Sequence, residues 1–371
     1  MSKNKAIVIG AGPAGLGAAL GLRNAGIDVL ILEKQPEVGV NRRGETIRFN
    51  QEMESILGAG FFDKQTIHTV NKRRYYSHSG NNHVDRTIST YNLIINWSDF
   101  IATIVKTALN SGAAIRTGVE VKTFRETNGH LEGVIVKDTV SGKEDFLDAQ
   151  TIFSCGGIDD PGSRYLKHKR DLMDRSVYKI LVESYSGPQD RLEYHLHIDK
   201  NGLLIGTIFP RGNREAEIIL MNFSGTKMPV FEQFAAVHPI FKERIEGIEP
   251  YYESATRIPM AAMRSPLSAV PGLIMTGDAM GHVQGRGGSG IAASFLISYS
   301  AALTAVPFIK AGSWTHKDAR TFNAKISENQ HLNDLRKHNF IYTRLRSLLM
   351  GRISSPQAMD RYWPLIKNAL R

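Results

Sequence analysis

Lys5-Ala6-Ile7-Val8-Ile9-Gly10-Ala11-Gly12-Pro13-Ala14-Gly15-Leu16-Gly17-Ala18-Ala19-Leu20-Gly21-Leu22-Arg23 is the stretch on which the fold turns. Ala6–Ile9 is a short continuous apolar run, as expected of a strand buried on both faces in a parallel sheet. Gly10-x-Gly12-x-x-Gly15 follows at once and opens a helix bearing Leu16, Ala19, Leu20 and Leu22. In this arrangement Gly10 allows the tight turn, Gly12 lets backbone approach a pyrophosphate, and Gly15 lets helix and strand pack closely. The pyrophosphate charge then meets the positive end of the helix. Asp28–Leu32 reads as the second buried strand, with Glu33 at its end, 23 residues after Gly10 and placed to accept hydrogen bonds from an adenosine ribose. Its carboxylate would repel a 2′-phosphate. The expected ligand is therefore FAD or NAD, and not NADP.

Composition fits this reading. The chain has 371 residues, of which 42% are hydrophobic and 22% charged, as in a folded protein of about two packed units. Its single cysteine, Cys155, excludes an internal disulfide framework and a Cys-rich metal site, and fits a reducing cytoplasm. Ala6–Leu22 reads as strand, turn and helix, not as a leader peptide. No run is expected to span a membrane. Fourteen of the 34 glycines fall within residues 1–44 and 277–290, so a second glycine-rich site is expected.

That second site follows another apolar strand, Leu273–Thr276. It runs Gly277-Asp278-Ala279-Met280-Gly281-His282, reaches Gly285-Arg286-Gly287-Gly288-Ser289-Gly290-Ile291, and leads into a long apolar helix expected from Ser289 to Lys310. On these two motifs the chain resembles flavoproteins of the p-hydroxybenzoate-hydroxylase superfamily, and within it the geranylgeranyl reductase branch, whose GDAxGxxxPxxGxGI segment matches at Gly277–Gly281 and Gly288–Ile291. The resemblance implies FAD, with Asp278 on the ribityl chain and the helix after Ser289 aimed at the flavin. Gly10, Gly12, Ala14, Gly15, Glu33, Lys34, Arg43, Gly277, Asp278, Gly288, Ser289, Gly290 and Ile291 become the expected cofactor contacts. There is no second Gly-x-Gly-x-x-Gly for a dedicated nicotinamide domain, so the electron donor, NAD(P)H or a reduced carrier, is left open.

The likeness continues between the ends. Glu33-Lys34, Gly39 and Arg42-Arg43-Gly44-Glu45 resemble the family segment that runs toward the isoalloxazine. Gly206-Thr207-Ile208-Phe209-Pro210 resembles its Trp-x-Phe-Pro segment without the Trp. The fold class implied is α/β: a Rossmann-like FAD-binding domain with a glutathione-reductase-type parallel sheet, an antiparallel substrate domain and C-terminal helices. The expected pieces are 1–75, 97–165 and 256–315 for FAD, 76–96 and 166–255 for substrate, and 316–371 for the helical segment.

Arg43, Glu45 and His282 are the candidate catalytic residues; Phe209, Pro210 and Arg286 are candidate substrate contacts. His195 and His197 share a strand face, but without a partnering carboxylate or Cys pattern no metal is expected. The resemblance implies a flavin-dependent oxidoreductase that reduces C=C bonds in a prenyl or lipid-like substrate. Two alternatives stay open: a monooxygenase acting on an aromatic, small-molecule or peptide-borne substrate, and a non-catalytic prenyl-binding escort. Arg43 stands where geranylgeranyl reductases often carry a cysteine, which leaves the reaction less determined than the family.

The formal net charge is +10, and residues 336–371 hold eight Lys or Arg against one acid, Asp360, interleaved with aromatic and aliphatic residues. This admits peripheral contact with an anionic membrane at its cytoplasmic face. No motif supports nucleic-acid binding, and the oligomeric state is not indicated.

Overall fold

The computed structural model describes residues 5–40, 44–168, 174–199, 202–223, 227–260, 263–285, 288–312, 314–350 and 355–370. In chain order the strands are β1 (Lys5–Ile9), β2 (Asp28–Leu32), β3 (Gly44–Arg48), β4 (Thr66–Tyr76), β5 (His83–Asn96), β6 (Ala114–Arg116), β7 (Val119–Thr127), β8 (His130–Asp138), β9 (Glu144–Asp148), β10 (Thr151–Ser154), β11 (Asp174–Val182), β12 (Arg191–Asp199), β13 (Gly202–Gly212), β14 (Glu215–Asn222), β15 (Pro250–Pro259) and β16 (Leu273–Met275). The helices are α1 (Pro13–Asn24), α2 (Gln51–Leu57), α3 (Phe61–Gln65), α4 (Trp97–Asn110), α5 (Pro161–Tyr165), α6 (Phe231–Val237), α7 (Pro239–Ile245), α8 (Ile291–Ala311), α9 (His316–Ser327), α10 (Gln330–Met350), α11 (Pro356–Arg361) and α12 (Trp363–Leu370).

The expected fold class is borne out. A five-stranded sheet runs β16-β10-β1-β2-β6, and all its pairings are parallel. Ala6, Ile7 and Val8 have no exposed surface, which is why β1 is apolar throughout and does not alternate. Helices α1 and α8 meet at backbone distance. A Cβ on Gly17 would stand 2.3 Å from the Phe295 carbonyl oxygen, so this crossing tolerates only glycine. Helix α8 is in fact long and apolar enough to cross a membrane, contrary to the expectation from sequence. Phe295, Leu296, Ile297, Ala301, Ala302 and Ala305 are nevertheless buried in the main core, so its apolarity serves packing. A three-stranded meander, β7-β8-β9, accompanies the parallel sheet.

The large sheet has eight strands in the order β15-β11-β14-β13-β12-β4-β5-β3. It is antiparallel except where β12 runs parallel to β4. Strand β3 and all but the last residue of β4 fall in the 1–75 stretch, and both pair into this sheet. On one face Ile180, Val182, Ile208, Ala216, Ile218 and Leu220 pack against Phe231 and Phe234 of α6 and Phe241 of α7. Strict alternation puts Lys179, Phe209, Glu217, Ile219 and Met221 on the opposite face. In a flat sheet β11 and β3 would lie roughly 29 Å apart, six spacings of about 4.8 Å. Yet Lys179 Nζ is 3.6 Å from Glu45 Oε1, and Arg211 reaches the Ile95 carbonyl at 3.4 Å. The sheet therefore curls back on itself, with this second face inside.

Candidate functional site

The amino-terminal motif lies at the carboxyl end of β1 in the parallel sheet. Gly10 has φ +91°, and its N–H donates to the Leu32 carbonyl at 2.8 Å. A Cβ here would be 2.7 Å from the Cys155 carbonyl oxygen, so conformation and space both require glycine. Gly12 differs. It caps α1 at φ −81°, no side chain bonds the exposed N–H groups, and the first turn carries no acid. Nothing lies within 4 Å of where its Cβ would stand. The positive end of α1 thus opens onto space fit for a phosphate. Glu33 accepts from the N–H of Ala11 and of Gln35, both at 2.9 Å. This orients the carboxylate and leaves lone pairs for ribose hydroxyls. Lys34, next in the chain, is exposed.

The second motif closes onto the first. After β16 the chain turns through Gly277–Met280, with half-buried Asp278 on the turn. A Cβ on Gly277 would lie 2.7 Å from the Ala14 Cβ, so two segments more than 250 residues apart touch at the start of α1. His282 is fully buried, and its Nδ1 accepts from the Gly277 N–H at 3.1 Å. Burial first, and then the Arg336 charge, pushes its pKa down to about 3. The ring is neutral with its hydrogen on Nε2, which has no partner among the described residues. Helix α8 starts after Gly290 without a side-chain cap and without an acid in its first turn. Ser289 is exposed and Ile291 half-buried. Gly288 borders Ile258, Met221 and Met260. Asn339 of α10 pins this turn, donating to the Val283 carbonyl at 2.9 Å and accepting from the Gly285 N–H at 2.8 Å.

Convergence of the two glycine motifs on one helix end decides the ligand class, and the match to a known family agrees. Residues 3–294 match the FAD binding domain family. The chain belongs to that family. FAD is its cofactor, and it is a flavin-dependent oxidoreductase or monooxygenase. Gly12, the two uncapped helix starts and the oriented Glu33 carboxylate fit this group.

No curated protein sequence matches this FAD-binding chain. Among solved structures it is similar to a geranylgeranyl bacteriochlorophyll reductase-like protein from Thermoplasma acidophilum, with a TM-score of 0.78 at 15% identity over 98% of this chain and 91% of the other. The myxobacterial chondrochloren halogenase gives 0.68 at 15%, covering 92% and 81%. A flavoprotein/dehydrogenase from Cytophaga hutchinsonii gives 0.64 at 18%, covering 87% and 83%. These likenesses establish the fold.

The other candidates are dispersed. Arg43 and Arg286 lie outside the described residues. Glu45 is on β3, opposite Ile95 of β5 and beside Lys179. Phe209 faces the inside of the curl, with its ring 5.9 Å from Tyr194, and buried Pro210 precedes a register shift in β13. A groove of about 490 Å³, bordered by Asp159, Ser176, Thr256 and Arg257, opens beside the Gly157–Asp159 turn. Cys155 is buried, and burial pushes its thiol up to about 12, so it stays unionised. His197 Nδ1 lies 2.6 Å from His78 Nδ1, and His195 stacks on Tyr76. Among the described residues no group of three or more His, Cys, Asp or Glu could hold a metal.

Two features escape a reading by motif. Asp160 is wholly buried and accepts from the N–H groups of Gly156 and Ser163 at 2.7 and 3.0 Å, bracing the loop under Gly10. Its signal was present in Asp160-Pro161-Gly162-Ser163, a capping residue before proline at the first helical position. Lys179, Arg211 and Glu217 had no such signal, because only the curl of the large sheet assembles them.

Proposed function

We propose that this flavoenzyme reduces C=C bonds of a hydrophobic, prenyl or lipid-like substrate. The observation that carries the reading is the apolar cluster beside the second glycine motif. Half-buried Ile258 and Met221 and buried Met260 border Gly288, in one cluster with Phe223, Val283 and Ile205. Its half-buried members offer contact to a hydrocarbon chain and few polar anchors. The similarity to the Thermoplasma reductase-like protein supports the same class. FAD, when bound and reduced, supplies the hydride; the protein binds and orients the substrate and keeps water away. The expected cofactor contacts are those at the two glycine motifs. Glu45 and His282 remain the proposed catalytic residues, with Phe209 and Pro210 as substrate contacts.

The test is anaerobic. FAD-loaded protein reduced with dithionite and mixed with a polyprenyl lipid should return oxidised flavin and product heavier by two hydrogens per bond reduced. Rapid reoxidation by air coupled to a hydroxylated product would overturn the reading in favour of a monooxygenase.

A substrate of this class resides in a bilayer, and we propose that α10 docks there. Phe340 and Ile341 are 61% and 63% exposed, with exposed Lys337 and Arg344 beside them. Apolar side chains flanked by cations suit an anionic lipid surface.

A further inference from the structure

Strand β15 ends the large sheet. It pairs with β11 on one side and, among the described residues, with no strand on the other. Tyr251, Glu253, Ala255 and Thr256 are exposed along it. An open edge of this length is a template for another strand, and the side chains that would stand opposite one another decide which strand it takes.

The pattern about Ala255 is self-complementary. Glu253 stands two residues before it and Arg257 two residues after, so all three point to one face. That face carries α6 and α7, because Glu253 is the register partner of Ile180, which packs there. A second β15, laid antiparallel about a two-fold axis through Ala255, sets Glu253 against Arg257 twice. The same register sets Ser254 against Thr256, and on the other face Tyr252 against Ile258. Opposite charges, paired hydroxyls and an aromatic against a β-branched side chain are the cross-strand pairs that stabilise a ladder. An axis through Glu253 or Arg257 instead sets like charge on like. Every other two-fold position denies both charges an opposite partner. Charges on an edge keep copies apart where like meets like; this spacing does the reverse.

Both side chains have capacity for the contact. Glu253 accepts from the Tyr178 hydroxyl, and Arg257 lies 4.0 Å from Asp159. A carboxylate has about four lone-pair sites and a guanidinium about five N–H groups. Pro250 and Pro259 fall at the ends of β15, where a ladder tolerates proline.

We propose that this chain forms a two-fold dimer through β15, which joins two large sheets into one. The ladder covers residues 251–259 of each copy and offers about eight backbone hydrogen bonds, within the range of a specific interface. The contact is isologous, so it closes at two copies. Arg257 also borders the groove beside the Gly157–Asp159 turn, and Glu253 of the second copy then stands at that groove. The proposal is independent of the reaction catalysed.

Sedimentation velocity of the FAD-loaded protein, from low to high micromolar concentration, tests it. The wild type should sediment as a dimer. Glu253→Arg and Arg257→Glu, each alone, turn two opposite pairs into two like pairs and should weaken the dimer at least about tenfold. Mixed together, the two variants should form a heterodimer, because Arg at 253 of one then meets Glu at 257 of the other. The double exchange Glu253→Arg/Arg257→Glu in one chain should also restore the dimer, which a folding defect would not allow. A wild type that stays monomeric at high concentration would overturn the proposal. So would a dimer that both single variants leave intact, since it would be made through another face.

Discussion

Gly10 and Gly12 stand two residues apart in one motif and do different work, so they should fail differently. Gly10 needs glycine to fold: φ is +91° and the Cys155 carbonyl oxygen is 2.7 Å from any added Cβ. Gly10→Ala should therefore cost stability, about 1–3 kcal/mol from backbone strain alone, seen as an earlier midpoint in chemical denaturation. Gly12 has ordinary backbone angles and empty space. Gly12→Val should leave the denaturation midpoint within about 0.5 kcal/mol of wild type while weakening FAD at least tenfold in a flavin-fluorescence titration. If Gly12→Val binds FAD normally, the pyrophosphate does not lie where proposed. At this scale the site was legible in part. Glycine spacing and the acid after the second strand are local chemistry, readable from neighbours in the chain. His282 was visible as a residue, but its complete burial was not.

Among elements, the tightest joint is between α1 and α8. A methyl on Gly17 would overlap the Phe295 carbonyl, with only 2.3 Å between Cβ and oxygen. Gly17→Ala must spread the two helices, at about 1–3 kcal/mol, and calorimetry should show a lower Tm. A second joint ties α10 to the FAD site through Asn339. Asn339→Ala removes two hydrogen bonds worth about 0.5–1.5 kcal/mol each. It should loosen the Val283–Gly285 turn and weaken FAD binding several-fold in the same titration. The strands and helices of the two glycine motifs announced themselves: β1 spans Lys5–Ile9 and α1 Pro13–Asn24, on either side of the turn the glycines predicted. Helix α8 begins at Ile291, two residues later than expected, because Gly290 serves as its cap. Strand β4 was harder to assign to a sheet, since its parallel partner β12 lies more than a hundred residues away.

At the scale of the molecule, three buried histidines make stability depend on pH. His195 is held well below its usual range, His238 is lowered to about 4 and His282 to about 3, in each case chiefly by burial. The unfolded chain takes up protons at these sites below about pH 6.5, and the folded one refuses them. Their contribution is therefore fully present above about pH 6.5 and is lost as pH falls toward 4. At about 1.4 kcal/mol for each pH unit between the two values, His238 alone contributes on the order of 3 kcal/mol. The Tm should fall steadily from pH 7 to pH 4.5, and His238→Asn should flatten part of that slope; a flat profile in the wild type would contradict the buried, neutral state. Docking of α10 belongs to this scale too. Co-sedimentation with phosphatidylglycerol vesicles should be seen at low salt, weaken at high salt, and be lost in Phe340→Ser/Ile341→Ser. Binding to neutral vesicles alone would contradict it.

What the amino-acid sequence determined by itself is the parallel nucleotide-binding sheet and the cofactor. Buried strands, glycine turns and helix ends are written in runs of a few residues, and their chemistry is complete within those runs. What only the tertiary structure decided is everything inside the curled sheet. Lys179, Glu217 and Glu45 come from three strands, and β11 and β3 meet only because twist and curl bring opposite ends of an eight-stranded sheet together. No spacing along the chain encodes that meeting. It follows from the packing of whole sheets, where one residue's partner is set by the shape of everything between them.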